Sequence, residues 1–571
     1  MIIQFLLGSA VAYLVWSVVC LELNVRKVRA MNVPIVRLPI DSNNVLWVIL
    51  HSHVWSIVDR LPFDWSSYPD SIRFSRRGWH FADKSESHLR HGSVWALVSP
   101  ASITLHFADP DAVLDIFSRR VEFVRPVKEY ELLAVYGPCI STAGSHDWAR
   151  HRKVLAAPFN EGVMNFVWEE TLRQATSMLR SWAGAAEDGI PSMHKDTRTL
   201  SLNVLASTGF RKSYTFKGSA DLDSAVCEAE DYRDALQTVL DNVIIMMLIP
   251  YRYLTGSMMP EKWVKIGNAA KTFKKYMMKM LDEETTALSQ GKAGSGGIMT
   301  SFVRAGDLHA REAAASSNAK ADNQRKGLSV DEIFGNLFII NFAGHDTTAG
   351  TLAFSMMLLA AHPEVQDWLA EEIIAVTGDM PAEEWDYKTL FPQLKRCRAV
   401  LLETLRMYSP IMSLPKRTSR QVQIKVGEQT LVIPPGVGTT LYVRALQMHP
   451  KYWSNSYTWM PKRWIVRPPQ TSSSAEDILN EELYMPRKGI YFPWSDGPQN
   501  CPGRKFSEVE AVAVLACLFR EHRLKVQKKA GESETDARKR AVDCTNNCNM
   551  DMLVKMEDPD SIRLVFQKVA K

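Results

Sequence analysis

Cys501 lies in the segment Trp494-Ser-Asp-Gly497-Pro-Gln-Asn-Cys501-Pro-Gly503-Arg-Lys-Phe506. Glycines on both sides let backbone N–H groups approach the sulfur, and a helical pattern begins just after it, adding the positive end of a helix dipole. Both favour a thiolate, and a thiolate in such a loop is suited to bind a metal. A buried structural cysteine in a turn is the competing reading. A second group, Ala343-Gly344-His345-Asp346-Thr347-Thr348, interrupts a long apolar run. A buried acid beside a hydroxyl is costly unless it serves something, although a satisfied polar kink in a core helix would also account for it. Glu403-Thr-Leu-Arg406 places a carboxylate and a guanidinium three residues apart, on one face of a helix. Most such pairs are surface decoration.

The elements that must position these groups are legible in outline. Ser329-Val-Asp-Glu332 reads as a capping box opening a helix that ends at His362-Pro363. At 1.5 Å per residue this helix is roughly 48 Å long, and it is apolar nearly all round, hence central. Gly344 would permit close approach of a flat ligand. Short strand-like runs (Val94 to Val98, Val422 to Val426, Gln429 to Ile433) stand among many helical segments. The chain therefore reads as mainly α with small β-sheets. Residues 290–297 and 311–327 look like exposed linker, and 528–549 like a solvated polar insert.

At 571 residues and 46% apolar content the chain can bury a large core in one domain of roughly 500 residues. The 68 basic residues nearly balance the 63 acidic ones, which argues against nucleic acid as a partner. The eight cysteines form no paired framework and read as reduced thiols facing the cytosol. Cys544 and Cys548 could be half a zinc site, but no second ligand pair accompanies them. Ile2 to Leu21 carries no charge, and Arg26, Lys27 and Arg29 follow. The expectation is a transmembrane anchor over 1–23, a proline-punctuated hinge over 24–65, and a catalytic domain over 66–571 that stays in the cytosol. A cleaved signal peptide fits less well, since no basic start precedes the run.

The cysteine segment resembles the haem-ligand loop of the cytochrome P450 monooxygenases, Phe-x-x-Gly-x-Arg-x-Cys-x-Gly. Gly497, Cys501 and Gly503 match; Trp494 takes the aromatic position and Gln499 stands where Arg is usual. The Ala343–Thr348 segment resembles the family's oxygen-activation motif. Glu403 and Arg406 match its Glu-x-x-Arg, and Arg463 in Trp459-Met-Pro461-Lys-Arg463 matches the later arginine. Trp148-Ala-Arg-His-Arg152 resembles the helix whose side chains meet a haem propionate, where the fork of an arginine suits a carboxylate. Lys416 or Arg417 offers a second cation.

The resemblance implies the P450 fold, with haem b between the central helix and the Cys501 loop. It implies Cys501 as axial iron ligand, Thr347 and Asp346 as the groups supplying hydrogen bonds and protons for dioxygen activation, and a buried Glu403–Arg406–Arg463 network that locks the cysteine loop. It also implies a membrane-bound NADPH–cytochrome P450 reductase, met by a basic face of Arg504, Lys505, His151 and Lys153, and residence on the endoplasmic reticulum. The expected activity is insertion of one oxygen atom into a hydrophobic small molecule, in secondary-metabolite biosynthesis. Pocket lining is expected from Val124 to Ile140, Phe338 to Phe342 and Ile411 to Ser413. A haem-thiolate isomerase or dehydratase needing no dioxygen, and a non-catalytic haem sensor, are the rival readings.

Overall fold

The structure is a computed structural model, and it describes residues 2–41, 44–185, 189–210, 213–219, 228–256, 259–292, 297–315, 326–466, 474–550 and 552–569. Helices dominate, as the sequence pattern predicts. The capping box forms in full at Ser329 and Glu332, and the helix it opens runs unbroken over 32 residues, Val330–Ala361. Most of its residues are buried, because Met193–Phe210, Lys395–Met407 and Glu534–Asn546 all pack along it. Arg504–Phe519, the helix behind the cysteine loop, packs on Glu161–Gly184 and on Lys395–Met407.

A six-stranded sheet forms a smaller second layer. Its order is Ile35–Arg37, Val94–Val98, Ile103–Phe107, Gly438–Leu441, Leu414–Thr418, Phe123–Val124. Parallel pairs join the first two strands and the third to the fourth; the other neighbours are antiparallel. Its core includes Trp95, Leu105, Phe107, Phe123 and Leu441.

Three expectations are corrected. The stretch 24–65 is no free hinge: Ile35–Arg37 pairs with Ala96–Val98, and Val25, Val28, Val33 and Leu38 are buried. The polar stretch 528–549 is not a solvated insert either. It forms the helix Glu534–Asn546, whose Ala537, Ala541 and Thr545 are buried against its neighbours. Small residues every four positions give it a packing stripe that a reading by overall polarity overlooks. Finally, among the described residues no helix is long and apolar enough to cross a membrane, so the span expected over 1–23 is not found. The helix Ile2–Arg29 instead anchors its C-terminal end in the sheet's core through Val25 and Val28. Of the two expected linkers, 293–296 and 316–325 lie outside the described residues; 290–292 follow the end of the helix Glu261–Ser289 as a turn, and 311–315 belong to the helix Ile298–Ala315.

Candidate active site

The cysteine loop is tied down at both ends. Cys501 N–H donates to the Trp494 carbonyl at 2.8 Å, Asp496 caps the Gly497 N–H at 2.6 Å, and Trp494 Nε1 donates to Ser507 Oγ at 3.0 Å. Gly497 has φ +67°, and a Cβ there would stand 2.9 Å from the Phe117 carbonyl, so only glycine fits. Cys501 itself is exposed. Burial of its surroundings raises the thiol above its ordinary value, while the Gly503 N–H and the Arg152 guanidinium act to lower it. The expected net lowering by the loop glycines is therefore outweighed; stabilising a thiolate here falls to a cation bound directly to the sulfur.

Beside the loop lies a set of donors that asks for an anion. Arg152 donates to the Asn500 carbonyl at 2.7 Å and to its side-chain oxygen at 2.5 Å. Lys416 Nζ donates to Gln499 Oε1 at 2.5 Å. Burial, then the charge of Arg125, pushes Lys416 down to about 7. Arg125 is likewise lowered, first by burial, with Arg152 adding repulsion. The indole nitrogen of Trp148 is buried without a partner. Arg152 and Lys416 contact the residues just before Cys501, Arg125 is close enough to both to feel their charge, and the free N–H of Trp148 stands one helical turn before Arg152. The two carboxylates of a haem supply what this set lacks, and the residues present fit that group.

The period of the strand separates Lys416 from Arg417. In Leu414–Thr418 successive side chains alternate, so Lys416 is buried and Arg417 is exposed. Arg417 turns away, donating to the Gly436 carbonyl at 3.0 Å and pairing with Glu129 at 3.3 Å. Arg125 was not singled out in the sequence; its signal there is an arginine set between Val124 and Pro126 with no acid adjacent.

The Trp148 and Arg152 helix, Ser145–Ala156, is clamped to the start of the central helix. Glu332 accepts from Arg150 at 2.6 and 2.8 Å and from the buried His151 at 3.2 Å. His151 therefore does not contribute to a basic surface, although Lys153 and Arg504 remain exposed. Glu403 and Arg406 are fully buried and bidentate, 2.9 Å for each bond. Arg463 Nε adds a third contact to Glu403 at 3.1 Å, Trp464 Nε1 a fourth at 2.9 Å. Arg406 also donates to the Gln447 carbonyl, and Gln447 Oε1 accepts the Phe492 N–H, which links the network to the chain entering the cysteine loop.

On the central helix, Ile340, Ala343 and Thr347 stay accessible at helical spacing, while Phe338 and Phe342 are buried in a cluster with Tyr136 and Leu236. Of the expected stretch Phe338–Phe342, Ile340 lies on this accessible stripe. Ile411, Met412 and Ser413 remain accessible. Thr347 Oγ1 donates to the Ala343 carbonyl at 2.7 Å. Gly344 packs closely on the helix Met193–Phe210, where a Cβ would meet Leu205 Cδ2 at 3.1 Å. Asp346 faces the same helix and accepts from Arg198 and Lys555. Burial acts to raise its carboxyl, but His345 first, then Arg198 and Lys555, hold it well below the usual carboxylate range.

This fold and loop define a haem-thiolate enzyme. The family model of cytochrome P450 matches residues 79–547, and the chain belongs to the cytochrome P450 family. It is similar to a cytochrome P450 monooxygenase of Arthrobotrys oligospora, 27% identical over 96% of this chain and 95% of that protein. A cytochrome P450 monooxygenase of Penicillium rubens is 29% identical over 80% of each chain. A third relative, from Leptosphaeria maculans, is described as the phomenoic acid biosynthesis cluster cytochrome P450 monooxygenase; it is 27% identical over 89% of this chain and 90% of its own. The protein is a P450 monooxygenase, a class that takes electrons from a redox partner and acts in general on hydrophobic substrates.

Proposed function

We propose that this monooxygenase inserts one oxygen atom into a hydrophobic small molecule of secondary metabolism, with electrons from an NADPH–cytochrome P450 reductase. The observation that carries the reading is a set of cations around the Cys501 loop that have neutral amide acceptors but no carboxylate partner, beside an exposed Cys501. Cys501 would bind haem iron through its sulfur, and Trp148, Arg152, Lys416 and Arg125 would hold the propionates. When bound, that haem supplies the reduction of dioxygen and the oxygen insertion. The chain's own residues do the rest. Ile340, Ala343 and Ile411 offer an apolar surface that favours a lipophilic substrate over water. Thr347, on the same stripe, presents a hydroxyl that can hand on a proton once it leaves the Ala343 carbonyl. The Glu403–Arg406–Arg463 network keeps the loop in place.

Exposed Lys153 and Arg504 form a basic face suited to an acidic reductase. Membrane association belongs to the same reading, on the endoplasmic reticulum with the catalytic body in the cytosol. It is supported by exposed apolar side chains on two N-terminal helices: Leu14, Val15 and Val18 on Ile2–Arg29, and Leu46, Ile49 and Ile57 on Val45–Val58. The Leptosphaeria maculans relative, whose printed name places it in a biosynthetic cluster, supports a secondary-metabolite substrate.

The test is co-expression with a reductase, NADPH and isotopically labelled dioxygen, screening extracts of the producing cells for a substrate. One labelled oxygen per product molecule is expected. Products formed without dioxygen would favour the isomerase or dehydratase reading. In Cys501→Ala the red-shifted Soret band of the reduced carbon monoxide complex should disappear; its persistence would remove Cys501 as the ligand.

A further inference from the structure

The accessible stripe of the central helix has an end. Continued toward the N-terminus from Thr347, Ala343 and Ile340, it reaches Asn336, one turn before Ile340 and on the same face. Asn336 is fully buried, because the chain from Gly137 to Ile140 crosses the helix there. The crossing is backbone on backbone: a Cβ on Gly335 would collide with the Gly137 and Pro138 carbonyls, and one on Gly137, whose φ is +143°, with the Asp331 carbonyl. Ile140 and Ile340 are both half-buried and pack against one apolar cluster that holds Tyr136 and Phe338. Asn336 and Thr347 are separated by about 16 Å of helix.

Ile140 is held by both of its backbone groups. Its N–H donates to Asn336 Oδ1 at 2.9 Å, and its carbonyl accepts from Arg125 Nη1 at 3.3 Å. The Asn336 amide is not free to reverse. Its Nδ2 donates to the Glu332 carbonyl at 2.7 Å and stands 2.8 Å from His151 Nδ1. A backbone carbonyl only accepts and a backbone N–H only donates, so these two partners decide which end of the amide faces which. His151 Nδ1 must then accept from Asn336. That puts the imidazole proton on Nε2, 3.2 Å from Glu332 Oε1. His151 and Asn336 are both buried, so removing either leaves the other's polar atoms without a partner and without water.

We propose that Asn336 is a positioning residue that sets the far wall of the substrate pocket: by holding the Ile140 N–H it fixes how far from Thr347 an apolar substrate can extend, and His151 holds Asn336 in turn. The inference rests on the reading of the pocket given above and adds the residues that set its length. Asn336 touches no substrate, since Ile140 covers it. Without the Asn336 side chain the Ile140 N–H loses its acceptor, and the covering segment loses its tie to the central helix at that point. The Arg125 bond joins the same peptide to the cations that would hold the haem carboxylates, so the wall and the cofactor share one mounting. The enzyme thereby selects among hydrophobic molecules by length.

The experiment is a spectral titration of the haem-loaded protein with N-alkylimidazoles of increasing chain length, whose free ring nitrogen on the iron shifts the Soret band to the red. Each methylene taken into the apolar pocket should tighten binding by about fourfold, until the chain meets the wall and the gain stops. In Asn336→Ala the gain should run on past the wild-type limit, so that the first longer chain binds about fourfold tighter than it does to wild type. N-methylimidazole, too short to reach the wall, should bind both proteins alike. An unchanged limit in Asn336→Ala, even with haem held less firmly, marks a merely structural role and overturns the proposal. A gain that never stops in wild type also overturns it. Should Asn336→Ala fail to fold, the His151 variants decide. His151→Asn keeps an acceptor where Nδ1 stands and should keep the limit, whereas His151→Phe should lengthen it; equal limits in these two overturn the proposal. If no imidazole shifts the band in wild type, the pocket reading fails and takes the inference with it, whereas a shift with equal limits rejects the wall alone.

Discussion

Lys416 and Gln499 are joined by a 2.5 Å hydrogen bond across the base of the cysteine loop. Where the family pattern has an arginine, this chain has an amide that accepts from a buried lysine. The amide adds no positive charge to a spot where Arg125 and Arg152 already repel each other. Lys416 is thus the cation on this strand that reaches the loop. Lys416→Met should weaken haem retention by about 1.5–3 kcal/mol, the worth of a charged hydrogen bond. Arg417→Met, which removes only an exposed pair, should change it by under about 1 kcal/mol. Haem transfer to an acceptor protein measures both; equal effects would reject the division of roles.

Thr347→Ala should keep the haem and the fold. The lost Thr347–Ala343 bond is within one helix and adds little to stability. Product formed per NADPH should fall by about tenfold or more, with peroxide released instead, because the hydroxyl is the accessible proton donor of the stripe. Product and peroxide assayed together decide it: fully coupled turnover in the variant would take Thr347 out of the reaction.

Much of this site is legible in local spacing, and its limits follow from the same fact. Cys501, Thr347, Glu403 and Arg406 stand in short patterns whose chemistry is local. Alternation along Leu414–Thr418 could have separated Lys416 from Arg417, but the run Leu-Pro-Lys-Arg-Thr has too few apolar residues to show which face is buried. Arg198 and Lys555 were not foreseen because they meet Asp346 across 148 and 209 residues of chain, and neither sits in a pattern of its own. The helix Glu534–Asn546 was hidden by polar neighbours: only three small residues mark its buried face. In the same way, an absent Cβ at Gly344 signals close approach but not of what, and the helix Met193–Phe210 is one such neighbour.

Glu403 accepts from Arg406, Arg463, Trp464 and the Met460 N–H with no exposure to solvent. Glu403→Ala would strand two buried guanidinium groups. We expect a loss of about 3–5 kcal/mol, as for other buried pairs broken from one side. Glu403→Gln keeps the shape and some acceptors and should lose less. Because Arg406 reaches Phe492 through Gln447, haem loss should accelerate in step with unfolding. Denaturant titration alongside Soret absorbance tests the coupling, and a variant that unfolds readily yet holds haem as firmly as wild type would contradict it.

Acid sensitivity is expected from the sheet rather than from the haem site. His88 and His106 are buried and His80 is half-buried around Trp95 and Tyr442, with His106 stacked on Trp95 at 4.5 Å between ring centroids. Burial pushes His80 and His88 down to about 3 and His106 well below its ordinary value, with His80 and His88 adding repulsion at His106. The folded chain therefore binds fewer protons than the unfolded chain between about 3 and about 6.5, so the stabilisation is present above that window and is lost as pH falls through it. The slope is about 1.4 kcal/mol per pH unit for each histidine. Glu372 and Glu510, raised by burial to about 7 and about 8, act in the opposite sense, gaining stability as pH falls toward their ordinary values. His106→Phe preserves the stacking and removes one titrating ring. Its thermal midpoint should therefore fall less than that of wild type between about pH 7 and about pH 5, and an equal fall in both would show that His106 does not take part in the acid transition.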